Sequence, residues 1–226
     1  MFKTKQGQVA DVLRERIVAG VYQRGEKLKQ ADIADELGVS ITPVREALHT
    51  LEAEGYIVGV SHKGLLVPHL VPEDTLEVFE LRMMLERELT QKALENLTPA
   101  GLKELRVLHK AAAAPTRGEG ARHATRTANY RFHFTLYEQA DRAQTLQFVR
   151  ILWAKYPFGF EHLTKGRSSR MVAEHEKFLL RAEAGDKPGA VEAMVEHIQF
   201  GWDELNSSGV LEKMAREPDR EKIKAS

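Results

Sequence analysis

Residues 37 to 48, Leu37-Gly38-Val39-Ser40-Ile41-Thr42-Pro43-Val44-Arg45-Glu46-Ala47-Leu48, read as the end of one short helix, a tight turn and a second helix that presents polar side chains outward. Ahead of the turn, Ile33, Ala34 and Leu37 mark the apolar face of a helix over residues 31 to 37, and Gly38 supplies the backbone freedom to reverse the chain. Ser40 or Thr42 can cap the second helix. Pro43 is tolerated in its first turn, where a backbone N–H has no intrahelical partner. At about 100° per residue, Val44, Leu48 and Leu51 fall on one side and Thr42, Arg45 and His49 on the neighbouring side. The first stripe packs; the second is free to face a groove of DNA.

Downstream, Gly55-Tyr56-Ile57-Val58-Gly59-Val60-Ser61-His62-Lys63-Gly64-Leu65-Leu66-Val67 reads as two short strands around a polar tip with glycine, which predicts a hairpin, or wing. Upstream, Val9, Val12, Leu13, Ile17 and Val18 mark an amphipathic first helix that ends near Gly20. A helix, a helix-turn-helix and a wing within residues 1–70 predict a winged helix-turn-helix domain. Its expected DNA contacts are Ser40, Thr42 and Arg45 on the recognition helix and His62, Lys63 and Gly64 at the wing tip. Arg45 is the long cation of the exposed stripe, and a narrow tip can approach the minor groove.

The run SITPVREALHTLEAEGYI followed by HKGLLVP resembles the DNA-binding domain of GntR-type transcription regulators, over roughly residues 8 to 68. Two departures from that family's pattern bear on affinity. In many relatives the positions of Ile41 and of a residue aligning near Ala31 are basic, and neither side chain here can hold a phosphate. Residues 1–70 also carry nine Lys and Arg against nine Asp and Glu. Bulk charge therefore adds nothing to DNA binding, and the expectation is a modest non-specific affinity with a shallow salt dependence.

A chain of 226 residues has room for one large or two ordinary domains. The absence of cysteine excludes disulfides, thiolate metal sites and cysteine catalysis, and fits a cytoplasmic protein. MFKTKQGQVADVL lacks the apolar core of a signal peptide, and no run approaches the roughly 20 apolar residues that cross a bilayer, so a soluble protein without a membrane partner is expected.

Val67-Pro68-His69-Leu70-Val71-Pro72 predicts a stiff connector. Helical pattern then runs near 73 to 96, 99 to 114, 119 to 140, 142 to 155, 168 to 184 and 187 to 206, broken at Pro115 to Gly120, at the bend Tyr156-Pro157-Phe158-Gly159-Phe160 and at Gly185-Asp186-Lys187-Pro188. The fold expected is mainly α: an N-terminal winged helix-turn-helix domain over 1–70, an antiparallel helical bundle over 71–206 and a charged tail over 207–226. The tail reads as a short helix followed by disorder.

Three histidines sit at the centre of apolar helical stripes: His133 with Asn129, Phe132 and Leu136; His175 with Met171, Phe178, Leu179 and Ala182; His197 with Ala190, Ala193, Met194 and Phe200. A single core histidine is most simply satisfied by a hydrogen bond. Three on inward faces of three helices instead suit a divalent transition metal, and Asn129 adds an oxygen one turn before His133. NYRFHFTLYEQADRAQTL and EHEKFLLRAEAGDKPGAVEAMVEHI resemble segments of the helical effector domain called FCD, found in the FadR branch of GntR regulators. Many members hold a metal with an aspartate and three histidines, and the resemblance carries that role to Asn129, His133, His175 and His197. Asparagine stands where the family has aspartate. Zinc suits three nitrogens best, with nickel or manganese as alternatives.

Arg82 lies in the stripe of Val78, Phe79, Leu85 and Leu89 and needs an anion there. Glu86, four residues on, can supply it internally, or the carboxylate of a small organic acid effector can supply it from outside. His49 and His62 belong to the DNA side. For His69, His109, His123 and His162 the default is solvent or surface packing.

Two functions compete. One is a homodimeric regulator, acting as a repressor on a double-stranded DNA operator and controlled by a carboxylate effector in a metal-containing helical domain. The other is a metal-dependent enzyme using the three histidines. Catalysis needs a general base, the histidine stripes show no acid that clearly points inward, and a DNA reader is attached, so the regulator is the reading adopted.

Overall fold

The computed structural model describes residues 4–114, 118–158 and 167–212. The expected bend at Gly159-Phe160, His162 and the tail beyond 212 lie outside the described residues. Helix α1 (Lys5–Val18) opens where the Thr4 hydroxyl accepts from the Gly7 N–H at 3.1 Å. Helices α2 (Gln30–Leu37) and α3 (Ile41–Ala53) flank a turn in which Gly38 adopts φ 63° and ψ 36°, a left-handed conformation that glycine enters without steric cost. Ser40 holds the N-cap position of α3, but its hydroxyl makes no capping bond, so the expected side-chain cap is absent.

The wing is a three-stranded antiparallel sheet rather than a two-stranded hairpin. Strands β2 (Val58–Val60) and β3 (Gly64–Leu66) are joined by β1 (Lys27–Leu28), in the order β1-β3-β2 with Lys27 opposite Leu66. A two-residue strand carries no readable alternation. It is held by its surroundings, with Gly25 N donating to Val67 O at 2.8 Å and Val67 N to Glu26 O at 3.0 Å.

A single 3-10 turn (Pro72–Asp74) leads into the helical half: α4 (Thr75–Asn96), α5 (Pro99–Ala112), α6 (Glu119–Glu138), α7 (Ala143–Lys155), α8 (Arg167–Glu183) and α9 (Lys187–Ser207). Thr98 and Asp186 cap α5 and α9 by accepting from Gly101 N and Gly189 N. α4 packs on α6, α7 and α9, α5 on α6 and α8, and α8 on α9, leaving the site between α4, α6, α7, α8 and α9. Among the described residues no helix is long and apolar enough to cross a membrane.

One core runs through both halves, from Leu13, Leu48 and Leu51 to Phe132, Trp153 and Phe178. Each such side chain contributes about 1.5–3 kcal/mol by leaving water. At the junction α1 lies on α6 and α7. Arg126 Nη1 donates to Ala19 O at 3.0 Å, Arg131 forks onto the Glu15 carboxylate at 2.7 and 2.9 Å, and Arg24 spans Pro68 O and Ala154 O at 3.2 Å each.

Candidate functional site

α6 delivers Asn129 and His133, α8 delivers His175 and α9 delivers His197, and all four side chains are buried. The ligand atoms of the three histidines lie within 4.8 Å of one another. His197 Nε2 is 3.1 Å from His133 Nε2 and 3.3 Å from His175 Nε2. Phe132 stacks on His175 at 4.2 Å between ring centres, which fixes that ring from behind.

The surrounding hydrogen bonds decide which nitrogens carry protons. Burial and the Glu86 carboxylate push the Tyr137 phenol well above its ordinary value, so it stays an O–H and donates to Glu86 Oε2 at 2.6 Å. Its oxygen is then left to accept from His133 Nδ1 at 3.0 Å. His197 Nδ1 donates to Glu174 Oε2 at 2.7 Å. With Nδ1 engaged on both rings, the two Nε2 atoms face each other across 3.1 Å, a spacing at which a proton or a cation can sit between them.

The donor set fits a divalent metal. Nitrogens bonded tetrahedrally at 2.0–2.1 Å lie about 3.3–3.4 Å apart, close to the two separations measured from His197 Nε2. The partners on the Nδ1 atoms of His133 and His197 are the outer contacts that orient metal-bound imidazoles. Asn129 Oδ1 is buried with no partner among the described residues, and the side chain lines the same cavity.

That cavity has Arg82 in its wall beside His133 and His197. Arg82 Nε donates to Glu86 Oε1 at 2.6 Å, and the guanidinium carbon lies 4.2 to 5.0 Å from the ring centres of Tyr156, Phe158 and Trp153. Burial alone would push Arg82 down, but Glu86 outweighs it and holds the guanidinium above its ordinary value, hence charged. The internal partner expected at i+4 is thus present, and the same side chain still faces the cavity.

Several sequence expectations need correction. Acids do approach the histidines: Glu174 reaches His197, and Glu204, paired with Arg170, lines the cavity. Glu204 lies seven residues after His197 on the same helical face, a spacing that could have identified it. Phe200, placed on the inward stripe, is 49% exposed. His109, assigned to the surface, is buried with Nε2 2.9 Å from Glu176, because α8 covers that face of α5.

At the other end of the molecule, Ser40, Thr42, Arg45 and His49 are exposed on α3, and His62, Lys63 and Gly64 are exposed at the wing tip, with His62 at φ 63°. Ile41 is 51% exposed beside them. Three of the remaining cations are committed internally: Arg14 to Glu54 and Asp11, Arg16 to Glu36, and Arg24 to two carbonyls. Lys27 was not anticipated. A Cβ built on Gly64 would lie 3.2 Å from Lys27 Cε and 3.7 Å from Nζ, so this exposed lysine runs beside the tip. Sequence reasoning missed it because β1 was not read as a strand.

Residues 5–67 match the family model described as bacterial regulatory proteins, gntR family, and residues 77–200 match the FCD domain. The chain is 27% identical over 197 residues to the HTH-type transcriptional regulator McbR of Escherichia coli (strain K12), covering 85% of this chain and 88% of that protein. It is 39% identical over 79 residues to the gluconate operon transcriptional repressor of Bacillus subtilis (strain 168), which is 35% of this chain and 32% of that one. The solved structure of E. coli McbR/YncC has the same fold, with a TM-score of 0.74 at 24% identity over 91% of this chain and 99% of that one.

Proposed function

Since the chain belongs to the gntR family of bacterial regulatory proteins, and is a transcriptional regulator rather than an enzyme, we propose that it is a cytoplasmic repressor whose hold on an operator is set by a small carboxylate bound in the helical half. A B. subtilis relative matched over part of the chain is named a repressor, which supports that sign of regulation. One recognition helix covers only a few base pairs, so the reading includes a homodimer, joined through the helical domain, on a pseudo-palindrome.

The observation that carries the effector reading is the convergence of three histidine Nε2 atoms, two of them, on His133 and His197, on side chains that line one cavity with the buried, charged Arg82. His133, His175 and His197, with Asn129 Oδ1, would hold one divalent ion, zinc foremost and nickel or manganese as alternatives. When bound, that ion offers an open, positively charged coordination position that favours an anion. Arg82 orients the second oxygen of a carboxylate, and Trp153, Phe158 and Met171 wall the apolar body of the ligand. Acid binding at this point biases the set of α6 and α7, on which α1 of the DNA-reading half lies.

The experiment is elemental analysis of protein purified without chelator, followed by retardation of DNA from its own upstream region with and without candidate monocarboxylates. Metal near one equivalent per chain and release of retarded DNA by an acid support the reading. Metal-free protein whose DNA binding ignores every acid overturns it.

A further inference from the structure

We propose that Glu86 is the positioning residue shared by both halves of the ligand site: its carboxylate anchors Arg82 through Nε and, through the Tyr137 hydroxyl, keeps the His133 proton on Nδ1 and off Nε2, the nitrogen that would ligate. The inference rests on the metal-and-carboxylate reading for its purpose, but its first measurement does not.

Glu86 is fully buried in the middle of α4. Its Oε1 accepts from Arg82 Nε at 2.6 Å and from Trp153 Nε1 at 3.0 Å, and its Oε2 accepts from the Tyr137 hydroxyl at 2.6 Å. The donors come from α4, α7 and α6, so one carboxylate ties together three walls of the cavity. Donation from Nε leaves the two terminal amino groups of Arg82, the ones that grip a carboxylate in a fork, without a hydrogen bond among the described residues. The rings of Tyr156, Phe158 and Trp153 hold the guanidinium without consuming those donors.

The direction of the relay follows from the chemistry of a carboxylate, which only accepts. Tyr137 must donate to it, so the Tyr137 oxygen must accept from His133 Nδ1–H. An amide at this position cannot accept on both sides. In Glu86→Gln the oxygen facing Arg82 and Trp153 turns the NH₂ toward Tyr137. Tyr137 then accepts from the amide and donates to His133 Nδ1, and the His133 proton moves to Nε2, where it points at His197 Nε2 and blocks coordination.

Two measurements test this. Long-range ¹H–¹⁵N spectra of histidine-labelled, metal-free protein report the His133 tautomer, and competition with a chromophoric chelator reports zinc affinity. The wild type is expected as the Nδ1–H tautomer and Glu86→Gln as the Nε2–H tautomer, with zinc affinity lowered about 10- to 100-fold, the usual cost of losing an outer-shell partner. Should Glu86→Gln not fold, Tyr137→Phe leaves the contacts of Glu86 to Arg82 and Trp153 in place and is expected to weaken zinc binding over the same range. An Nε2–H tautomer in the wild type, an unchanged tautomer in Glu86→Gln, or wild-type zinc affinity in Tyr137→Phe overturns the inference. If the wild type takes up no zinc, the metal reading fails and the tautomer comparison alone decides the role of Glu86.

Discussion

Arg14 and Glu54 form a two-pronged ion pair inside the DNA-reading half, Nε to Oε2 at 2.6 Å and Nη2 to Oε1 at 2.9 Å, which ties α1 to the end of α3. Both side chains are nearly covered, at 7% and 9% exposure. Burial pushes the Arg14 guanidinium down, but the bond and charge of Glu54 outweigh it. Removing Arg14 leaves Glu54 a buried charge, whereas removing Glu54 leaves Arg14 still held by Asp11, so Arg14→Met is expected to cost about 3–5 kcal/mol in denaturant unfolding, Glu54→Leu less, and the double substitution less than the sum of the two. Strict additivity would show that the pair is not coupled.

Replacing both His175 and His197 with alanine is expected to reduce bound divalent metal to background and to abolish the response to carboxylates while leaving DNA retardation in place. Each loss follows from removing two of the three imidazoles that would hold the ion. Metal content and response equal to those of the wild type would make the histidines ordinary core residues.

Arg45→Ala is expected to weaken operator binding by about 1–3 kcal/mol if the guanidinium reads a base edge in two-pronged fashion. Lys27→Ala, beside the wing tip, is expected to reduce affinity for all sequences alike and to lower the slope of log affinity against log salt by about 1. Quantitative retardation at several salt concentrations checks both, and an unchanged slope removes Lys27 from the interface.

His109 gives a pH dependence with a definite sign. Burial holds its imidazole below the ordinary value of about 6.5, against the pull of Glu176. Below that ordinary value the unfolded chain binds a proton that the folded chain refuses, so His109 costs stability as the solution is acidified. The fall in unfolding midpoint between about pH 7.5 and pH 5.5 is therefore expected to be smaller in His109→Gln than in the wild type, and parallel curves would rule the contribution out.

Local rules made the reading head legible. Gly38 allowed a turn, Pro43 was compatible with the first turn of a helix, and the stripe of Val44, Leu48 and Leu51 is buried as its spacing predicted. The inward histidines were readable for the same reason, since His133, His175 and His197 sit in largely apolar stripes, although that of His197 fails at Phe200. Long-range pairing was not readable. Tyr137 and Trp153 reach Glu86 from 51 and 67 residues away, and β1 exists only because β3 lies beside it. The surface assigned to His109 is covered by α8, a neighbour that no local spacing reveals.

Helix α6 holds Asn129 and His133 toward the cavity while Arg126 and Arg131 reach Ala19 O and Glu15 of α1. The two halves are consequently poor candidates for exchange as independent parts. A chimera that grafts this helical half onto a foreign winged head keeps every cavity residue yet gives up the Glu15 fork, and the graft inherits the candidate site without its mechanical seat. A successful transplant carries α1 together with α6, and substitutions at positions 15 and 131 have to travel as a pair.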